Sequence, residues 1–216
     1  MTSFIQPDMF ASNVTHWPFG PLIPRAYSLI MIDPPWHMEM YSEAGEGKSP
    51  QANYRTMSLD EIAALPVADL AAENCLLWLW GTTPLLPKQL AIMQVWGFRY
   101  STNAVWAKRT KHGKRWFGTG YGGFRNEHEH ILIGRIGSPV ITDNSVRSIV
   151  VGKAREHSSK PEAAYEAAER ISKGARRADV FSRRTRPGWE ACGDEAGKFD
   201  DPGQHATGNG QQESSA

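Results

Sequence analysis

Cysteine is scarce in this chain: among 216 residues only Cys75 and Cys192 occur. Two thiols cannot build a disulfide framework, and neither sits in the Cys-x-x-Cys spacing of a zinc site, so a reducing, cytoplasmic setting is expected. A charge excess of one sign is missing too, since 24 Lys and Arg against 23 Asp and Glu leave +1. No global field recruits nucleic acid or a membrane, and any basic patch must be local. No apolar run approaches the ~20 residues of a membrane span, and Met1 to Asn13 lack the charged-then-apolar pattern of a signal peptide. What the chain does have is 40% hydrophobic and 10% aromatic residues, enough to bury a core. Its length suits one sizeable domain, read here as 1–196, with an irregular arm before the first strand. Residues 197–216 hold one large apolar residue, Phe199, and are expected to form a disordered tail.

Periodicity supplies the elements. Tyr27 to Ile32 is a short, nearly continuous apolar run stopped by Asp33-Pro34-Pro35, the pattern of a buried strand. Ser58-Leu-Asp-Glu61 reads as a capping box opening a short helix to Leu65. A strand at Cys75 to Trp80, a helix from Thr83 to about Trp96 stopped by Gly97, and a strand from Arg99 to Lys108 follow. After a break come strands at His130 to Arg135 and Ser148 to Gly152. Ser159-Lys-Pro-Glu162 then reads as a second capping box for a helix to about Ser172, with Ala164, Tyr165, Ala168 and Ile171 on one face, and Ala178 to Phe181 as the next strand. Strands alternating with helices predict an α/β fold, a mainly parallel sheet flanked by helices, with ligands gathering beyond the carboxyl ends of the strands.

The break, Lys108 to Arg125, holds Lys108, Arg109, Lys111, Lys114, Arg115 and Arg125 without one acidic residue. Trp116, Phe117, Tyr121 and Phe124 are interleaved among five glycines, which describes a mobile surface loop. Its Gly118-Thr-Gly120-Tyr-Gly-Gly123 satisfies the dinucleotide fingerprint in letters only: it follows a polar stretch instead of a buried strand and leads into no helix. Aromatic residues among basic ones suit a phosphate backbone and unstacked bases, and Lys108, Lys114, Arg115 and Tyr121 are the candidate contacts. His128 and His130 share a strand face, but no cysteine or third histidine nearby completes a metal set.

Asp33-Pro34-Pro35-Trp36 is placed where chemistry is expected, at the carboxyl end of the first strand. The tetrapeptide has a logic for methylating an exocyclic amine, whose lone pair is delocalised into the ring. Asp33 can accept one amine N–H, the Pro34 carbonyl on its rigid backbone the other, and Trp36 can stack on the base.

These residues also resemble a family. Asp33 to Trp36, Asn53-Tyr54-Arg55-Thr56-Met57-Ser58, Trp80-Gly81-Thr82, Trp106-Ala107-Lys108, Asn126-Glu127-His128-Glu129-His130 and His157-Ser158-Ser159-Lys160-Pro161-Glu162 occur in the order found in the N6-adenine methyltransferases. That family includes the catalytic subunit of the eukaryotic mRNA adenosine methyltransferase and many small bacterial and phage DNA methyltransferases. The resemblance implies a Rossmann-like methyltransferase using S-adenosylmethionine. It places Asp33, Pro34, Pro35 and Trp36 at the amine, Tyr54 beside the base, and Ile32, Asp33, Lys160, Asp179, Phe181, Arg183, Asp194 and Glu195 around the donor. Between Arg183 and Trp189 the chain is shorter than in the eukaryotic members, so Arg184, Thr185 and Arg186 take no individual role. The substrate expected is adenine in DNA, with RNA, or a non-catalytic nucleic-acid-binding subunit, as alternatives. A homodimer or a partner subunit is also compatible with the sequence.

Overall fold

The fold is that of a computed structural model, which describes residues 17–37, 55–118, 120–154 and 159–193. Strand β1 (Tyr27–Ile32) has the bounds its apolar run predicts. In chain order β2 (Ala71–Gly81), β3 (Arg99–Arg109), β4 (Gly120–Tyr121), β5 (Phe124–Arg125), β6 (His128–Ile136), β7 (Ile149–Lys153), β8 (Arg177–Val180) and β9 (Glu190–Cys192) follow. Seven of them form one sheet in the order β7-β3-β6-β2-β1-β8-β9, while β4 and β5 make a separate ribbon. The sheet is mixed but mostly parallel. Strand β6 runs antiparallel to β2 and β3, whereas β1 is parallel to β2 and β8, β3 to β7, and β8 to β9.

Helices cover both faces, which is why β1 and β2 read as continuous apolar runs. Helices α1 (Leu59–Ala63) and α2 (Leu86–Val95) put Ile62, Ile92 and Met93 against Ile30, Ile32, Leu77 and Leu79. Helix α3 (Glu162–Ile171) packs Ala164, Tyr165, Ala167 and Ala168 on the other side, with Leu29, Met31, Trp78 and Trp80. The described part of the arm joins the first of these layers through Phe19 and Leu22. From β1 the chain passes to β2 on one side, and β8 closes on the other. The sheet order therefore reverses at β1, and the crevice beyond its carboxyl end is where such sheets bind ligands.

Three local expectations need correction. The Ser58 capping box forms as read, with Glu61 N on Ser58 Oγ at 3.2 Å and Ser58 N on Glu61 Oε2 at 2.7 Å. The Ser159 box does not: α3 starts at Glu162 with Pro161 as its N-cap and no side-chain cap. A Ser159 cap would put Lys160 at the first helical position, and the residue before a proline is pushed out of the α region. Thr83–Leu85 is a tight single turn before α2, with prolines in its own start and in that of α2. The segment after Lys108 is also less loose than its glycines suggest. Arg109 bridges Arg115, Thr110 N donates to Lys114 O at 2.9 Å, and β4 and β5 pair beyond them.

Candidate active site

Beyond the carboxyl ends of β1 and β8 lies a cavity of about 570 Å³, within the size range of small-ligand sites. Asp33 enters it directly from β1, its backbone N–H donating to Val180 O of β8 at 3.3 Å. The next residues are equally fixed: Trp36 N donates to Pro34 O at 2.8 Å, Met57 N to Pro35 O at 2.9 Å, and Trp36 bridges Met57. Asp33, Pro34, Pro35, Lys160, Asp179, Phe181 and Arg183 all line the cavity. The side chain of Ile32 is fully buried in the core, so only its backbone is near the rim.

Asp33 keeps 34% of its side chain exposed, and its Oδ2 meets Lys160 Nζ at 2.9 Å. Lys160 is 8% exposed and reaches Glu129 Oε2 at 2.9 Å as well. Glu129 uses its other oxygen for Lys108, and the two ammonium groups lie over indoles, Lys160 over Trp80 at 5.0 Å and Lys108 over Trp106 at 4.9 Å. The result is a chain of alternating sign, Asp33, Lys160, Glu129, Lys108, with no net charge, centred on the buried Lys160 and open to the cavity at Asp33. Burial opposes the charge on Lys160, but the carboxylates of Asp33 and Glu129 outweigh it and hold the ammonium above the ordinary lysine range. Burial likewise works against Glu129, and Lys160 and Lys108 still pull it down to about 2. Asp33 goes the other way: burial raises it, Lys160 opposes that, and the Glu129 charge adds to the rise.

A second cluster is built on Asp179, near the carboxyl end of the neighbouring strand β8. Its Oδ2 accepts Tyr165 OH at 3.0 Å and Ser182 Oγ at 2.8 Å, with Arg186 at 3.6 Å. Burial nevertheless raises Asp179 to about 6, against the pull of Ser182, Arg186 and Tyr165. Arg186 stacks over the Tyr165 ring at 3.6 Å and pairs with Glu162 at 3.0 Å. Phe181, where the chain leaves β8, has φ +61, a left-handed conformation that costs a bulky residue about 1–3 kcal/mol and persists only where its surroundings impose it.

Sequence and structure part at several residues. Trp36 is not an open platform for a base: it is 5% exposed, packed in the core, and its indole N–H donates to Trp80 O at 3.1 Å. An indole has one donor and a large apolar body, so it is most stable where both are satisfied inside. Lys108 is engaged by Glu129 within the alternating chain instead of standing free for phosphate. Lys114, Arg115 and Tyr121 lie on the basic segment, outside the cavity lining, with Arg115 paired to Glu127 through Nε at 2.8 Å and through Nη2. Tyr54, Asp194 and Glu195 lie outside the described residues. Two residues escaped the sequence reading. Glu129 was legible as a member of the Asn126-Glu127-His128-Glu129-His130 block but was given no role, and its weight comes from Lys108 and Lys160, distant in sequence. Arg186 had no periodic or motif signal at all.

Cations and carboxylates facing one cavity beside an aromatic wall suit a donor with an amino-acid end, a sulfonium and an adenosine, so the residues present fit S-adenosylmethionine. A mostly parallel sheet carrying such a cavity at the end of its first strand has the architecture of a Rossmann-like methyltransferase. The model of the MT-A70 family matches residues 27–195, and the chain belongs to that family. It is 32% identical over 173 residues to a putative N(6)-adenosine-methyltransferase MT-A70-like protein of Medicago truncatula, covering 78% of this chain and 26% of that one. It is 28% identical over 174 residues to the human N(6)-adenosine-methyltransferase catalytic subunit METTL3, covering 78% and 28%. The type II methyltransferase M.MunI of a Mycoplasma is 27% identical over 193 residues, covering 80% of this chain and 79% of that protein. The chain thus spans about a quarter of the length of the adenosine methyltransferases and most of the length of the type II enzyme.

Proposed function

We propose that this chain transfers a methyl group from S-adenosylmethionine to the N6 amine of adenine in DNA. The observation that carries the reading is Asp33, open to the cavity at the end of β1 and held there by a buried Lys160 that Glu129 holds in turn. When bound, the donor supplies a methyl group on a good leaving group, and Lys160, Asp33, Asp179, Phe181, Arg183 and Arg186 surround the space for it. The protein's task is then alignment. Lys160 occupies Oδ2 of Asp33 and leaves acceptor capacity on Oδ1 for one amine hydrogen. The Pro34 carbonyl, which accepts Trp36 N–H, has a second lone pair for the other. Two acceptors at fixed positions favour a pyramidal nitrogen, and their hydrogen bonds strengthen as the amine becomes positive in the transition state; the sulfur would leave as a neutral thioether and the methylated nitrogen would release one N–H proton to water.

The likeness to the type II methyltransferase, 27% identical over 193 residues, supports DNA as the substrate. The test is transfer of labelled methyl from S-adenosylmethionine to duplex DNA, single-stranded DNA and RNA in parallel, with digestion to nucleosides. N6-methyldeoxyadenosine as the product supports the reading. Label in RNA alone moves the substrate to RNA, and donor binding without product in any polymer supports the non-catalytic subunit.

A further inference from the structure

The most exposed large apolar rings among the described residues both lie in the segment between β3 and β6. Phe117 is 76% exposed and Phe124 79%, beside a partly exposed Trp116. Rings displayed this openly mark a binding surface, since the described residues leave them largely to solvent. The ribbon that carries Phe124 has a rigid turn: Gly122 and Gly123 both have positive φ, +56 and +85, as a two-residue hairpin of the primed kind requires. Its root is tied down by the Arg115–Glu127 pair and by Lys108 N donating to Glu127 O at 2.8 Å. Arg125 lies over one face of the Phe117 ring at 4.6 Å.

Placement narrows the partner. Gly81 at the end of β2 faces His130 of β6, and Ala107 of β3 faces His128, so this ribbon rises from the same end of the sheet as Asp33. Lys111, Lys114, Arg115 and Arg125 accompany the rings with no acidic residue between 108 and 125, a charge that suits a polyanion and repels a second copy of the same surface. We propose that Phe117 and Phe124 form a base-stacking wedge that receives unpaired bases of the substrate strand while the surrounding cations hold its phosphates. This rests on the nucleic-acid reading above but not on turnover. It also replaces the stacking role expected of Trp36, whose ring is closed inside the core. Stacking on a phenyl ring tolerates any base, so the wedge contributes grip on a strand that has left its duplex, not sequence choice.

The test is fluorescence anisotropy of the full chain with two labelled 20-mers, a single-stranded DNA of mixed sequence and the same sugar-phosphate backbone without bases. Wild type should bind the based strand at least roughly tenfold tighter than the abasic one. Phe117→Ala with Phe124→Ala should abolish that preference while leaving affinity for the abasic strand and its salt dependence unchanged, and Phe117→Trp with Phe124→Trp should keep it. Both positions are exposed, so the fold should survive, which a thermal melt checks. The proposal is overturned if wild type shows no preference for bases, if the alanine variant keeps one, or if it weakens on both strands equally. A change of mass in light scattering would overturn it in favour of a subunit contact. Because binding needs no methyl transfer, base preference without product would leave the wedge standing and remove the enzymatic reading instead.

Discussion

The two functional regions of this molecule spend charge in opposite ways. At the cavity, Asp33, Lys160, Glu129 and Lys108 alternate in sign around the buried Lys160, each charge facing its opposite at hydrogen-bonding distance. On the basic segment that carries the ribbon, cations stand in solvent, Arg115 with 80% of its side chain exposed and paired to Glu127. The first arrangement fixes a carboxylate to within a narrow range of positions, as alignment of an amine requires. The second leaves rings and cations free to meet a strand whose shape varies. One region should therefore respond to substitution through stability and rate together, the other through affinity alone.

Breaking the alternating chain should have the largest effect. Lys160→Met removes the cation between Asp33 and Glu129; with Asp33 34% exposed and Glu129 still paired to Lys108, the loss should be about 3 kcal/mol, the low end for an unpaired buried charge, which urea denaturation would read. Glu129→Gln should cost less, about 2 kcal/mol, because Lys108 is partly exposed and can turn to water. The same measurement should show the order Lys160→Met worse than Glu129→Gln, and equal losses would contradict the chain as described. On the basic segment before the ribbon, reversing charge at the exposed Lys114 and Arg115 should leave urea stability unchanged. It should weaken DNA binding roughly 30-fold at low salt and flatten the salt dependence by about 2 in log–log slope. A loss of stability equal to that of the cavity variants would erase the distinction between the regions.

The smallest effect is a gain. Asp179 is raised to about 6 from an ordinary 3.8, so its ionisation opposes folding. The folded state holds that proton more tightly than the unfolded chain does, and stability from this group is greatest in acid and falls as the pH rises between about 4 and 6. Asp179→Asn keeps an acceptor for Tyr165 and Ser182 and removes the charge. It should stabilise by about 1 kcal/mol at pH 7.5, once the weakened Arg186 contact is allowed for, and by nothing near pH 4. Thermal melts at the two pH values read the difference.

What could be read from the residues alone follows the same division. Strand β1 and the Ser58 cap were legible because an apolar run and a reciprocal cap are settled within a few neighbours. Asp33 was legible because it ends a buried strand. The Ser159 box failed on a local conflict with Pro161, which takes the N-cap in an extended conformation. Glu129 and Arg186 were not assigned, since their importance lies in partners more than 20 residues away in sequence. Strand β9 has three residues, too few for a period to show. Trp36 was misplaced because its letters fit a stacking surface equally well, and only the packing decides that its indole turns inward to Trp80.

Asp33 carries the central claim, and Asp33→Ala tests it most directly. The measurement is single-turnover transfer of labelled methyl from S-adenosylmethionine to DNA by wild type and variant, with a thermal melt of each. Loss of the amine acceptor should lower the rate by roughly 10³-fold while the variant stays folded. A folded variant that transfers methyl at a rate near that of wild type would show that the amine is held somewhere else.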